Sequence, residues 1–349
     1  MSSPTVLAAG NHFILPSLLT EAVIEATGGT VTAGQIRELR LPWPHTPLGK
    51  VAEVDEASGT EDQLIEALQG VRICVTEHAA LTERILAHCP DLELFCVGRG
   101  GPVNANLDAA TRHGVAVCYA PGRNATATAE HTLTLLLAAA RGVGDTHTDL
   151  RQGVWRGDYY DYDKCGIEIE GTTVGLVGYG AIGSRVAKVL AAMGAHVLVH
   201  DPYAAPEALA GIAEQVGLDD LLRRSRVVSL HARLTDETRG MIGRAQLAAM
   251  PHGSVLVNCA RGALVDYEAV CDALESGQLR GAGFDVFPEE PVPADSRLLA
   301  APGVVLTPHI AGGSRQVAHK AARTVAAEAA RFLRGEPLAH CANPAVLGG

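Results

Sequence analysis

The eight cysteines include no C-x-x-C pair, and the chain shows no fixed-period repeat and no low-complexity segment. A membrane helix needs about 20 consecutive apolar residues. The uncharged stretch 1–20 is broken by Gly10, Asn11, His12 and Pro16, and 298–314 by Pro302 and Pro308, so neither is read as an anchor. No basic segment precedes the first stretch as it would in a signal peptide. Positive charge is scarce: 28 Lys and Arg against 39 Asp and Glu leave a formal net charge of −11. Nucleic acid and anionic membrane are therefore poor partners. Without C-x-x-C pairs, the cysteines read as small buried hydrophobes in a reducing compartment. These absences predict a soluble, cytoplasmic protein without a metal; His196 and His200 are read as strand packing residues.

Apolar material is plentiful. Of 349 residues, 47% are hydrophobic and 19% charged, enough for two domains at roughly 150 residues each. Short apolar runs alternate with helical patterns, the mark of an α/β architecture. Strands are expected near 5–9, 72–75, 92–97 and 115–119, with helices over 81–88 and 107–113, the second capped by Asn106. The run 125–141, rich in Ala, Leu and Thr, predicts a buried helix between domains or subunits. The second half predicts strands at 173–177, 195–200, 227–231, 255–258, 281–285 and 304–307. Helices are expected at 181–193, 218–224, 245–250, 266–276 and 316–333. Gly194 and Gly277 fall where left-handed caps belong.

Polar residues and glycines collect where these later strands end. Strand 173–177 runs into Gly178-Tyr179-Gly180-Ala181-Ile182-Gly183 and a helix. Gly178 permits a tight turn, Gly180 lets a pyrophosphate approach the backbone, and Gly183 allows close helix–strand packing. The helix N-terminus adds N–H groups and partial positive charge. Asp201 ends the next strand, 21 residues after Gly180. A carboxylate there accepts from ribose hydroxyls and repels a 2′-phosphate, favouring NAD over NADP.

Arg261, Glu290 and His309 are the catalytic candidates. Hydride transfer to a 2-keto acid needs a cation to hold the carboxylate and polarise the carbonyl, the task of an arginine fork. It needs an acid for the nascent alkoxide, which histidine supplies near neutral pH. A carboxylate steadies that imidazole and favours its protonated form.

Together, Gly178 to Gly183 with Asp201, Asn258-Cys259-Ala260-Arg261-Gly262, Gly283-Phe-Asp285-Val-Phe-Pro-Glu-Glu290-Pro291 and Thr307-Pro-His309-Ile310 resemble the NAD-dependent D-2-hydroxyacid dehydrogenase family. Cys96-Val-Gly98-Arg99-Gly100-Gly101 and Asn106-Leu-Asp-Ala-Ala110 resemble its substrate-domain loop and following helix. The resemblance implies two Rossmann-like or flavodoxin-like domains with doubly wound parallel sheets. A substrate-binding domain (1–119 with 312–349) would be interrupted by an NAD-binding domain (120–311), with the active site between them. Arg261 would orient the substrate carboxylate, and His309 would be the acid/base with Glu290 as its partner. Beside the glycines and Asp201, the residues Ala181, Ile182, Ala232, Cys259, Ala260, Arg261, Asp285, His309 and Gly312 would line the cofactor. Gly98, Arg99, Gly100 and Gly101 would hold the substrate carboxylate with backbone N–H groups. Members are usually homodimers joined through the cofactor domain.

The departures bear on the substrate. Thr76 and Ala80 stand where phosphoglycerate enzymes resemble a basic pattern, and Glu77 adds negative charge. The chain is also expected to lack those enzymes' regulatory domain. An unphosphorylated or sugar-derived 2-hydroxy acid is thus favoured over 3-phosphoglycerate. Tyr159, Tyr160 and Tyr162 either cover the cleft or pack on the surface. A non-catalytic NAD(H)-sensing interaction protein, as in corepressors of this fold, remains the rival reading. A formate-dehydrogenase-like reading is disfavoured, because those enzymes carry glutamine where Glu290 stands.

Overall fold

A computed structural model describes residues 5–348. The described part separates into two compact units. One comprises the residues up to Asn124 and those from Gly313 on; the other is Ala125–Gly312, inserted between them.

In the first unit the order is β1 (Val6–Gly10), α1 (Pro16–Ala26), β2 (Ile36–Arg40), α2 (Glu61–Leu68), β3 (Ile73–Thr76), α3 (Glu83–His88), β4 (Leu94–Val97), α4 (Leu107–Arg112) and β5 (Ala116–Tyr119). Among the described residues these strands form one parallel sheet in the order β2-β1-β3-β4-β5. Side chains alternate across it. Val6, Ala8, Ile73, Val75, Leu94 and Cys96 enter one core with α1, whereas Leu7, Ala9, Cys74, Phe95 and Val117 enter the other with α2 and α3. Burial on both faces explains why these strands read as continuous apolar runs. Strand β2, Ile-Arg-Glu-Leu-Arg, pairs with β1 alone and is half-exposed, so it lacks that signature. Asn106 caps α4 as expected, accepting from the Ala109 N–H at 3.0 Å.

The inserted unit continues with α5 (Ala125–Ala140), α6 (Val143–Arg151), β6 (Thr173–Val177), α7 (Gly183–Ala192), β7 (His196–His200), α8 (Pro206–Leu209), β8 (Glu214–Gln215), α9 (Leu218–Arg224), β9 (Val227–Leu230), α10 (Arg244–Ala249), β10 (Ser254–Asn258), α11 (Tyr267–Glu275), β11 (Leu279–Phe284) and β12 (Val304–Leu306). Its described strands are all parallel, in the order β12-β11-β10-β9-β6-β7-β8. Helix α12 (Arg315–Leu333) returns to the first unit, where Ala318, Ala321, Val325 and Ala329 complete the core shared with α1. Both sheets reverse their strand order once, as doubly wound sheets do.

Helix α5 is half buried and lies close on β10 and β11. A Cβ at Gly283 would sit 3.0 Å from Leu135 Cβ, and one at Gly281 would sit 2.9 Å from the Ala139 carbonyl oxygen. Glycine in β11 is what admits the helix. Gly194 and Gly277 adopt φ of +85° and +77°, the left-handed conformation expected after α7 and α11. Of the cysteines read as buried, Cys165 is exposed and Cys341 half-buried. Tyr160 and Tyr162 project into solvent, while the Tyr159 hydroxyl donates to Asp149 Oδ2 at 2.7 Å. Among the described residues no helix is long and apolar enough to cross a membrane.

Candidate active site

Because every strand of the inserted unit runs the same way, the residues that follow them gather at one edge. Gly178, directly after β6, has φ +105°, and a Cβ there would lie 2.6 Å from the carbonyl carbon of His231. A Cβ on Gly183 would collide with the Gly178 carbonyl oxygen, whereas Gly180 faces open space. Two glycines thus serve close packing, and the middle one leaves room for a ligand against the backbone. No side chain caps α7 at Ile182, and an uncapped helix N-terminus favours an anion. Asp201 Oδ2 accepts from the Tyr179 N–H at 2.7 Å, bracing the glycine turn, and Oδ1 accepts from the Tyr203 N–H at 2.9 Å. A carboxylate oxygen can accept more than one bond, so ribose hydroxyls still find acceptors there. These features fit a dinucleotide.

At the end of β9, desolvation pushes the His231 imidazole down to about 4, and its Nε2 lies 3.0 Å from Ser229 Oγ. Ala232 follows it. At the end of β10, Asn258 is buried and shapes the next loop: its Oδ1 accepts from the Ala260 N–H at 2.9 Å, and its Nδ2 donates to the Arg261 carbonyl at 2.9 Å. Burial pushes the Cys259 thiol up to about 12, against a hydrogen bond from Thr132. The Arg261 side chain is left exposed, Nη1 donating only to the adjacent Ala260 carbonyl at 2.7 Å. Gly262 sits against the Phe287 carbonyl so closely that no side chain fits between. This brings the Arg261 loop against the segment that carries Glu290.

Glu290 and His309 meet directly. His309 Nδ1 lies 2.7 Å from Glu290 Oε2, and Glu290 Oε1 accepts from the Phe287 N–H at 2.9 Å. His309 has φ +53°, uncommon for a residue with a side chain. The cause lies beneath it. Asp285, at the end of β11, is fully buried, and its oxygens accept from the N–H groups of Ile310 at 2.9 Å and Ala311 at 2.8 Å and from the Thr307 hydroxyl at 2.6 Å. The turn carrying His309 is therefore pinned on both sides, and the imidazole is left half exposed. His131 of α5 joins from behind, with Nε2 2.9 Å from Thr307 Oγ1 and 3.5 Å from Asp285 Oδ1.

Asn258, Tyr267, His131 and Thr307 are supporting residues that sequence reasoning did not single out by role. Tyr267 donates to the Val286 carbonyl at 2.6 Å, and burial drives its phenol well above the usual range. Asn258 and Thr307 stood inside the quoted motifs, and His131 was one of two titratable residues inside an apolar helix. In the first unit, the Gly98 N–H donates to the Thr76 carbonyl at 2.6 Å, continuing the β3–β4 ladder. The Gly98 N–H is thus already engaged, contrary to the expectation that Gly98 presents it. Arg99 is paired with Glu56, whose carboxylate accepts from Nη2.

Residues 133–311 match the family model of the D-isomer specific 2-hydroxyacid dehydrogenase NAD binding domain. The chain is 39% identical over 292 residues to D-3-phosphoglycerate dehydrogenase of Mycobacterium leprae, covering 83% of this chain and 54% of that one. It thus spans about half the length of the curated phosphoglycerate dehydrogenases it matches. Glyoxylate reductase of Korarchaeum cryptofilum is 37% identical over 288 residues, covering 81% of this chain and 86% of that one. Among solved structures, the TT0316 protein of Thermus thermophilus superposes with a TM-score of 0.78 at 29% identity, covering 97% of this chain and 99% of that one.

Proposed function

The chain belongs to the D-isomer specific 2-hydroxyacid dehydrogenase family, and from that premise we propose that it interconverts a small 2-hydroxy acid and its 2-keto acid with NAD(H). The observation that carries the reading is the Glu290–His309 pair held against the Arg261 loop, at the edge that also bears the glycine turn. NAD(H), when bound, supplies or accepts the hydride at C2. Gly178, Gly180, Gly183 and Asp201 would hold it, with Ala181, Ile182, Ala232, Cys259, Ala260, Asp285 and Gly312 around it.

Arg261 offers its exposed guanidinium to the substrate carboxylate and carbonyl oxygen, where a fixed fork of donors both orients and polarises. Glu290 engages His309 through Nδ1, so Nε2 is the atom left to exchange a proton. During reduction Nε2 protonates the oxygen on C2; during oxidation it removes that proton. The acid is unphosphorylated, because Thr76, Glu77 and Ala80 supply no cation for a phosphate.

We also propose a homodimer through the NAD-binding unit, a reading supported by the exposed apolar residues Val143, Leu150, Val154 and Trp155 on and just after α6. The same reading puts the protein in the cytoplasm, where its free thiols stay reduced. A panel of 2-keto acids with NADH, followed by loss of NADH absorbance, tests the activity. Cofactor binding without turnover of any member would replace the enzyme reading with that of an NAD(H)-sensing interaction protein. Light scattering at graded concentrations tests the dimer.

A further inference from the structure

The hydrogen bonds beneath His309 run in one direction, and that direction leads back to helix α5. Asp285 Oδ1 accepts from the Ile310 N–H and from the Thr307 hydroxyl, the latter at 2.6 Å, while Oδ2 accepts from the Ala311 N–H. A threonine hydroxyl carries a single proton. Because Thr307 gives that proton to Asp285, its oxygen is left to accept from His131, whose Nε2 lies 2.9 Å away. Nε2 must therefore carry hydrogen, which fixes the tautomer of a neutral His131. The same atom lies 3.5 Å from Asp285 Oδ1, so a proton there also favours the carboxylate. The relay of donors runs from His131 to Thr307 and ends on Asp285.

Helix α5 makes this contact through its register on β11. His131, Leu135 and Ala139 recur every four residues and share a face of the helix. A Cβ on Gly283 would meet Leu135 Cβ, and one on Gly281 would meet the Ala139 carbonyl oxygen. Four residues of helix rise about 6 Å, and two residues of strand rise about 6.6 Å. The steps from Ala139 to Leu135 to His131 thus keep pace with those from Gly281 to Gly283 to Asp285. The glycines let the helix come close, and the matched spacing delivers the imidazole to the carboxylate at the strand's end. The neighbouring positions do not serve: Glu130 is exposed, and the Thr132 hydroxyl donates back to the Thr128 carbonyl at 2.7 Å.

The turn above needs such support. His309 holds φ +53°, a conformation that residues with side chains disfavour. On its C-terminal side, two backbone N–H groups grip Asp285. On its N-terminal side the grip is the Thr307 hydroxyl, on a side chain free to change rotamer unless something holds it. The donor from His131 is what holds it.

We propose that His131 is a positioning residue for the reaction: its Nε2–H locks the Thr307 hydroxyl onto Asp285 and so keeps His309 where it exchanges its proton. The proposal rests on the dehydrogenase reading and adds to it a residue that acts through Thr307 and Asp285 rather than on the substrate.

The tautomer is read without turnover. In protein labelled with ¹⁵N-histidine, long-range ¹H–¹⁵N spectra at about pH 8, above the ordinary imidazole range, should show hydrogen on Nε2 of the resonance that His131→Gln removes. A bare Nε2 overturns the relay. In steady-state kinetics with NADH and the best keto acid of the panel, His131→Leu should lower kcat about ten- to a hundredfold, the scale of a reacting group misplaced by about 1 Å. KM for both substrates should stay within about twofold, since the loss falls on the transition state. His131→Gln, whose amide sets an N–H near the place of Nε2, should recover most of that loss, and His131→Asn, too short to reach Thr307, should not. Thr307→Val should lower kcat as much as His131→Leu, and the two together no more than either alone, because both cut one relay. Circular dichroism and NADH binding check folding, and His131→Asn stands in for His131→Leu if the latter fails to fold. Wild-type kcat in His131→Leu or His131→Asn, no recovery in His131→Gln, or additive losses in the double variant overturn the positioning role. Hydrogen on Nε2 without turnover of any keto acid keeps the relay and overturns the dehydrogenase reading. Turnover with a bare Nε2 does the reverse.

Discussion

The two sheets place their charges at the carboxyl edge in opposite ways. In Ala125–Gly312 the deeply buried group is an anion, Asp285, and the chain's own donors occupy its oxygens, while the groups able to react, Arg261 and His309, stand in the open. In the other unit a buried anion, Glu77, is paired with a buried cation, Arg123, two of whose nitrogens are unpaired, and what stands open is the aromatic ring of Trp43. A saturated buried charge makes a rigid support for exposed chemistry. An unsaturated one leaves donors without a partner in the described residues. The edge of Ala125–Gly312 thus holds its exposed groups on a saturated support, and the other edge does not.

The strongest way to break this contrast is to remove the reacting groups. His309→Ala and Arg261→Ala should each lower kcat/KM by roughly 10²–10⁴-fold, the scale of a lost general acid or electrostatic clamp. Steady-state kinetics with near wild-type turnover would remove those roles. Next comes the support. Asp285→Asn sets an amide against donors that now meet a carboxylate, and should cost about 2–3 kcal/mol in urea unfolding. It should also lower kcat, because the turn that presents His309 loses its anchor. Unaltered stability would show that the buried anion does not brace the turn.

A smaller effect is expected at Asp201. Replacement by Ala should raise NADP use relative to NAD by about tenfold, the scale of a lost charge-assisted contact; an unchanged ratio refutes the ribose assignment. The response to acid separates the units by window. His231 is depressed to about 4 from 6.5, so the unfolded chain takes up its proton first. Stability should fall as pH drops from about 6.5 towards 4, with a slope of up to about one proton. Glu77 is lowered from 4.5, so its contribution is present above that value and is lost only as pH falls further. Urea titrations of His231→Asn and Glu77→Gln across pH should flatten these two windows separately; one shared window would erase the distinction.

Much of this was legible in the sequence, and unevenly. Strands such as Thr173–Val177 are buried on both faces and announce themselves as apolar runs, and glycines with forced backbone, such as Gly194, mark where helices stop. Strand β2 and helices α1, α2 and α6 gave no comparable signal: β2 is a half-exposed edge and α6 has no buried residue. In the inserted unit, motif position was enough to pick out Glu290 and His309, which the structure brings within 2.7 Å of each other, because both follow strands of one parallel sheet. The network of Asn11, Glu77 and Arg123 was not legible, since its members lie 46 or more residues apart and only the shared edge of the sheet joins them. Nor could composition show that His131 backs the Asp285 turn, which depends on how closely α5 approaches the glycines of β11.

The inserted architecture has a consequence for the order in which the protein is made. As the chain leaves the ribosome, Ala125–Gly312 has its whole sheet and both of its cores once residue 312 has emerged. The earlier-born strands β3, β4 and β5 must wait, one face uncovered, until α12 is translated and Asn343 docks on β5 through Val117 and Val115. The half synthesised first is thus the half finished last, and a nascent chain stalled before α12 would expose Val75, Leu94 and Cys96 to whatever chaperone is nearest.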